Sequence, residues 1–136
     1  MKIVTRELTG AALDYAVAVS EGATRFRYDT IATHWMMLDG RDIAFAKGWA
    51  QTYQPSANWD QMGPIIERER IQSKYSVAEG SWMCTHDTGD KHTETTGPTP
   101  LIAAARCYVA RVLGDRVDVP AGIAGPHKRL TEDARS

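Results

Sequence analysis

No apolar run in these 136 residues approaches the length a bilayer crossing requires. Met1 to Glu7 carries no apolar core of a secretion signal, so the chain is expected in a cytoplasm and away from membranes. Charge of one sign is missing too. The formal net charge is −1, which gives no long-range attraction to nucleic acid or an acidic surface. Cysteine is scarce: Cys84 and Cys107 are the two, and a reducing compartment favours free thiols over a bridge between them. No Walker sequence, glycine-rich Rossmann turn or internal repeat occurs, which leaves phosphate cradles and dinucleotide sites without a motif. What remains is an ordinary globular balance, 43% hydrophobic and 24% charged, in a length suited to one domain with a real core.

The clearest stretch is Gly97 to Gly114. Thr99 can cap a helix with its hydroxyl, and Pro100 follows at the first helical position, where its missing N–H costs nothing. Leu101, Ala105, Tyr108, Val109 and Val112 recur at helical spacing and predict an inward face; Gly114 supplies the stop. Thr9 predicts another helix start, with Leu8 and Leu13 spaced as a hydrophobic staple and Gly22 at the end. Asn58, with Gln61 three residues on, predicts a third start. Pro64 then demands a kink or a start delayed to Met62.

Strands are expected over Arg25–Tyr28, over Thr33–Leu38 up to the turn pair Asp39-Gly40, and over Trp49–Tyr53. Ile71–Val77 alternates and reads as half-buried, pairing with Ser81–His86 as a hairpin. Asp87 to Thr96 is polar and reads as loop or an irregular strand end. The order α-β-β-α-β-β-α predicts an α+β fold: one antiparallel sheet of about four to five strands packed by three helices. Residues 1–120 form the expected domain, and 121–136 a flexible tail without apolar periodicity.

Three segments carry a resemblance: Glu7 to Ala18, Pro55 to Glu69 and Gly97 to Ala110. Together they resemble the NinX-like family of small phage and prophage proteins, and more loosely the phage ABA-sandwich domains. Two departures stand out. The family usually has Thr-Asp before the tryptophan, where this chain has Ala57-Asn58, and Gly-Gly before the proline, where it has Met62-Gly63. The resemblance implies a phage accessory role in a host bacterial cytoplasm and transfers no catalytic residue.

Cys84, His86, Asp90 and His92 raise the question of a metal. Cys84 and His86 share a strand face, but the second pair follows no recognised ligand spacing, so the expectation is a surface histidine cluster beside a buried thiol. Cys107, among alanines, reads as a small core residue. Neither catalytic residues nor a cofactor site can be assembled, and a non-enzymatic protein is expected. Glu67-Arg68-Glu69-Arg70 reads as a solvated helix face.

The remaining chemistry is aromatic and basic. Trp35, Trp49, Tyr53, Trp59, Tyr75 and Trp82 interleave with Arg25, Arg27, Arg41, Arg68 and Arg106. Such side chains hold nucleobases and phosphates, and they also build cores or the interface of a homo-oligomer. The expected site places Trp59, Arg68 and Arg106 in one pocket between the middle and final helices, with Asn58 and Thr99 nearby. The ligand would be small and of nucleotide type, a host defence signal held out of circulation. The rival readings are an interaction module acting on a host or phage protein, and a nucleic-acid accessory factor, which the near-neutral charge makes the weaker.

Overall fold

The computed structural model describes residues 1–28, 33–45, 52–125 and 127. The fold is α+β, and its strands are divided among three antiparallel sheets instead of one. β1 (Lys2–Val4) pairs with β8 (Arg116–Asp118) as a two-stranded ribbon. β2 (Thr24–Tyr28), β3 (His34–Leu38) and β4 (Arg41–Ala44) make the second sheet, in that order. β5 (Gln72–Ser76), β6 (Ser81–Asp87) and β7 (His92–Gly97) make the third. Each three-stranded sheet pairs neighbours in sequence, and the helix between them keeps the two groups apart. Local alternation identifies a strand but does not say which strands share a sheet.

The helices are α1 (Gly10–Ser20), α2 (Trp59–Glu69), α3 (Pro100–Leu113) and a four-residue turn, α4 (Ala121–Ala124). α3 is the centre of the fold. It packs on β6 and β7 and also against α1 and α2. The Thr99 hydroxyl accepts from Ile102 N–H at 3.1 Å, and Pro100 opens the helix, as the sequence predicts. Leu101, Ala105, Tyr108 and Val109 are buried, but so are Ala103, Ala104, Arg106 and Cys107, because the helix is covered on more than one side. Val112 departs from the expected stripe: it is 43% exposed in the last turn. The junction ahead of α3 is tight. A side-chain carbon at Gly97 would lie 2.8 Å from the Ala103 amide nitrogen, so only glycine fits there without moving backbone.

Other starts and stops follow local rules with two corrections. Leu8 and Leu13 are both fully buried at the start of α1. The Thr9 hydroxyl, however, makes no cap bond to the helix; its backbone N–H instead donates to His127 Nε2 at 3.0 Å. The segment expected to be a loose tail from residue 121 therefore packs at least in part. α4 lies against α1 with Ile123 and Ala124 buried, a docking too short to register as periodicity. Asp39 and Gly40 both take positive φ, 52° and 78°, as a tight hairpin turn requires.

The strands bring three further differences. β7 is a regular strand where a loop or an irregular strand end was expected, because its alternation is of threonines: β-branched side chains favour a strand even when they are polar. Thr95 is buried, its hydroxyl donating to the Ala103 carbonyl at 2.8 Å. β5 is exposed over Gln72–Tyr75, an edge strand instead of a half-buried one. Of the strand expected over Trp49–Tyr53, residues 49–51 lie outside the described residues; Thr52 makes a single parallel bridge to Ala44.

Candidate functional site

An open cleft of about 730 Å³ lies between α2 and the β3–β4 hairpin. α2 contributes Asp60, Gln61, Pro64, Ile65 and Arg68; the hairpin contributes Leu38, Asp39, Arg41, Asp42 and Ile43. Thr52, Tyr53 and Glu21 complete the walls. α2 starts at Trp59, with the Asn58 carbonyl oxygen accepting from Asp60 N–H at 2.8 Å, so its start is not delayed to Met62. Gln61 does not reach back to complete a capping box. Its side-chain oxygen accepts from Gln54 N–H at 2.6 Å and its amide donates to the Thr52 carbonyl at 3.0 Å, bracing the wall beside it. Pro64 lies within α2 and provides no N–H for the Asp60 carbonyl one turn earlier.

Arg68 ties this cleft to the rest of the molecule. Its two terminal nitrogens fork onto Glu21 at 3.2 and 2.6 Å, and its Nε donates to Glu69 at 2.9 Å. Tyr108 donates to the same Glu21 oxygen at 2.5 Å and accepts from Arg68 at 3.2 Å. The C-terminal end of α1, α2 and α3 meet at this one group of charges. Partial burial pushes the Glu21 carboxyl up, but the hydrogen bonds from Arg68 and Tyr108 more than offset that, and the net effect holds it below its ordinary value. Burial, and then the Glu21 charge, push the Tyr108 phenol up, so it stays a donor.

Behind the cleft, Asp14 is buried on α1 and accepts from Ser56 N–H at 2.9 Å. Burial pushes its carboxyl up to about 7, and the hydrogen bonds from Ser56 offset only part of this.

The cleft's described charges are four carboxylates and two guanidinium groups. Glu21 is paired with Arg68, and Asp42 with Arg27 at 2.9 Å. Asp39 and Asp60, from opposite walls, have no ion-pair partner among the described residues.

Of the expected pocket residues, Arg68 lines this cleft, while Trp59 and Arg106 do not. Trp59 is 58% exposed at the start of α2. Asn58 and Thr99 act as helix caps. Arg106 is not at a wet edge of α3: it is 8% exposed, with Nε donating to the Leu8 carbonyl and Nη1 to the Thr96 carbonyl, both at 2.9 Å. Helical phase alone could not show this, because α3 is covered on both flanks. Glu21 was missed as a site residue, since a helix-ending glutamate carries no motif. Among the described residues, Tyr53 is the aromatic side chain in the cleft walls. Elsewhere rings join elements: Tyr15 of α1 meets Phe26 and Phe45 edge-on at 5.7 and 6.0 Å, and Tyr75 meets Trp82 at 5.3 Å.

The histidine and cysteine constellation does not converge. Cys84 and His86 are both buried, so His86 is not a surface residue as expected; its Nε2 lies 3.7 Å from Glu69. His92 is exposed and faces Asp87 and Glu94 at 3.5 and 3.7 Å. Among the described residues no group of three or more His, Cys, Asp or Glu side chains is arranged to hold a metal ion. Both thiols are free; burial pushes Cys107 up to about 12 and also raises Cys84, which disfavours the thiolate. No described helix is long and apolar enough to cross a membrane.

These features define a small α+β domain with a polar cleft whose edges are carboxylates and whose helices are fastened by an arginine. The chain belongs to the family described as Bacteriophage P22, NinX, whose model matches residues 5–111. That span runs from the turn after β1 to near the end of α3 and includes every described wall residue of the cleft. A comparison with curated proteins finds no match.

Proposed function

We propose that this member of a phage family is a non-enzymatic accessory protein that holds a small nucleoside- or nucleotide-type ligand in the cleft between α2 and the β3–β4 hairpin, keeping a host defence signal out of circulation. The observation that carries the reading is the wall chemistry. Asp39 and Asp60, on facing elements, are acceptors with no ion-pair partner among the described residues, and Ile43, Pro64 and Tyr53 add apolar surface to the same walls. Carboxylates accept from ribose hydroxyls, and flat apolar walls suit a base. Arg68 is already committed to Glu21 and Glu69, so Arg41 is the guanidinium left for a phosphate. The wall thus favours the nucleoside half of such a ligand over a polyphosphate.

Native mass spectrometry of protein from infected cells should show an added small-molecule mass. Calorimetry with a panel of nucleosides and nucleotides should find binding that Asp60→Asn weakens by about tenfold at unchanged melting temperature. An unadorned mass together with no calorimetric binding at millimolar ligand would sink the reading. A second reading, an interaction module, is favoured by Trp59, an exposed tryptophan outside the cleft.

A further inference from the structure

A second cleft, of about 780 Å³, lies along β7. One wall is the segment Lys91–Thr95; the other comes from Val4 to Arg6 and from Gly114 to Arg116, at one end of the β1–β8 ribbon. We infer that this cleft takes an extended, carboxylate-bearing segment of a partner protein, added along β7 as a fourth strand. The inference is independent of what occupies the first cleft.

The backbone carries the first part of the argument. Among the described residues β7 is the outer strand of its sheet, with β6 on one side only. The Thr88 N–H donates to the Lys91 carbonyl at 3.1 Å, and alternation from that hydrogen-bonded pair puts Thr93 and Thr95 at the positions bonded to β6, so Thr96, whose carbonyl accepts from Arg106, faces away from β6. In an antiparallel strand every second residue points its N–H and C=O the same way, so those of Glu94 and His92 face outward too. Among the described residues β7 pairs with β6 alone, and no turn or loop backbone bonds to Glu94 or His92. Arg106 thus closes the edge at Thr96 and leaves it open where the cleft runs. An open edge of this kind is a template for strand addition.

Charge selects the occupant. Arg6, Lys91 and Arg116 line the cleft, against Glu94 and Asp115. Glu94 already faces His92, and Arg6 and Lys91 have no carboxylate partner among the described residues. An incoming strand places alternate side chains on one side, so carboxylates at every second position can meet Arg6 and Lys91 while the backbone pairs with Glu94.

The test uses the full chain and a fluorescein-labelled octapeptide of alternating threonine and glutamate. Anisotropy should report binding, and amide exchange at Glu94 should slow. N-methylating alternate peptide nitrogens should abolish binding, and an alternating threonine–lysine peptide should not bind. Arg6→Glu with Lys91→Glu, both exposed positions, should weaken binding by about tenfold or more with the melting temperature unchanged. Binding that survives N-methylation, or that inorganic phosphate fully displaces, would show a point-charge patch and overturn strand addition. So would protection that maps to the α2 cleft, or no binding at all, in which case the charges along β7 serve to keep the edge from pairing.

Discussion

The two clefts are nearly equal in volume and differ in almost everything else. The one against α2 is made of side chains, is rich in carboxylates and has Arg68 in its wall, half-exposed and forked onto Glu21. The one along β7 has a strand edge for a wall and carries more basic than acidic side chains; past its walls, at Thr96, the strand meets Arg106, buried and held by two carbonyls. Volume alone would rank them together. What separates them is which hydrogen-bonding groups the fold has left unused: carboxylate oxygens in one, main-chain N–H and C=O in the other. The two arginines show the same division. One is a surface clamp between helices, and the other gives the buried Leu8 carbonyl its donor and also holds the part-buried Thr96 carbonyl.

The sharpest way to break this contrast is Arg106→Leu. It leaves the Leu8 and Thr96 carbonyls without their donor and should cost roughly 2–5 kcal/mol in urea unfolding. A loss below about 1 kcal/mol would mean the carbonyls find other donors and that Arg106 does not close the strand edge.

Next in size is Asp14, which stands behind the carboxylate-rich cleft through Ser56. Its folded value lies near 7 and its ordinary value near 3.8, so the folded chain holds a proton that the unfolded chain releases. Its contribution is complete below about pH 4, is lost as pH rises from about 4 to 7, and changes no further above that. Asp14→Asn keeps an acceptor for Ser56 and should flatten that slope, stabilising the protein near pH 8 by on the order of 2–4 kcal/mol. An unchanged pH profile by thermal melts would refute this. Glu21 runs the other way. Its value is held down, so its contribution is present above about 4.5 and is lost as the solution is acidified through the lower, folded value.

Arg68→Met should cost about 1 kcal/mol or less, since the ion pair is half in solvent, and combining it with Glu21→Gln should cost less than the sum of the two. Additive losses would mean the fork does not act as a unit. The smallest effect belongs to Trp59→Ala, expected within about 0.5 kcal/mol of the parent because the ring lies largely in solvent. Ligand uptake should survive it. If uptake is lost, the α2 cleft is not the whole site.

Legibility in the sequence followed how local each cause is. The cap and first turn of α3, the Asp39-Gly40 turn and the Asn58 cap each depend on a few adjacent residues, and all three appear as read. β7 escaped because its pattern is written in threonines, which alternate in β-propensity without alternating in hydrophobicity. The split into three sheets and the burial of Arg106 escaped because they depend on which distant surfaces meet. The cleft divides the same way. Arg68 sits in its wall on a helix whose wet face is visible in the sequence, whereas Glu21, Asp39 and Tyr53 join it only through packing of separate elements.

The β1–β8 ribbon has a consequence for the order of events in folding. Ile3 pairs with Val117, so nearly the whole domain lies inside the loop this pairing closes. The β5–β6–β7 sheet and α3 are contiguous in the chain and can assemble through short closures, while the ribbon must wait for both ends to arrive. It is short and two-stranded, with no third strand beside it among the described residues. Amide exchange at Ile3 and Val117 should therefore be faster than at Cys84 and Thr95, and the cleft along β7, which borrows a wall from the ribbon, should be the last surface to form and the first to come apart.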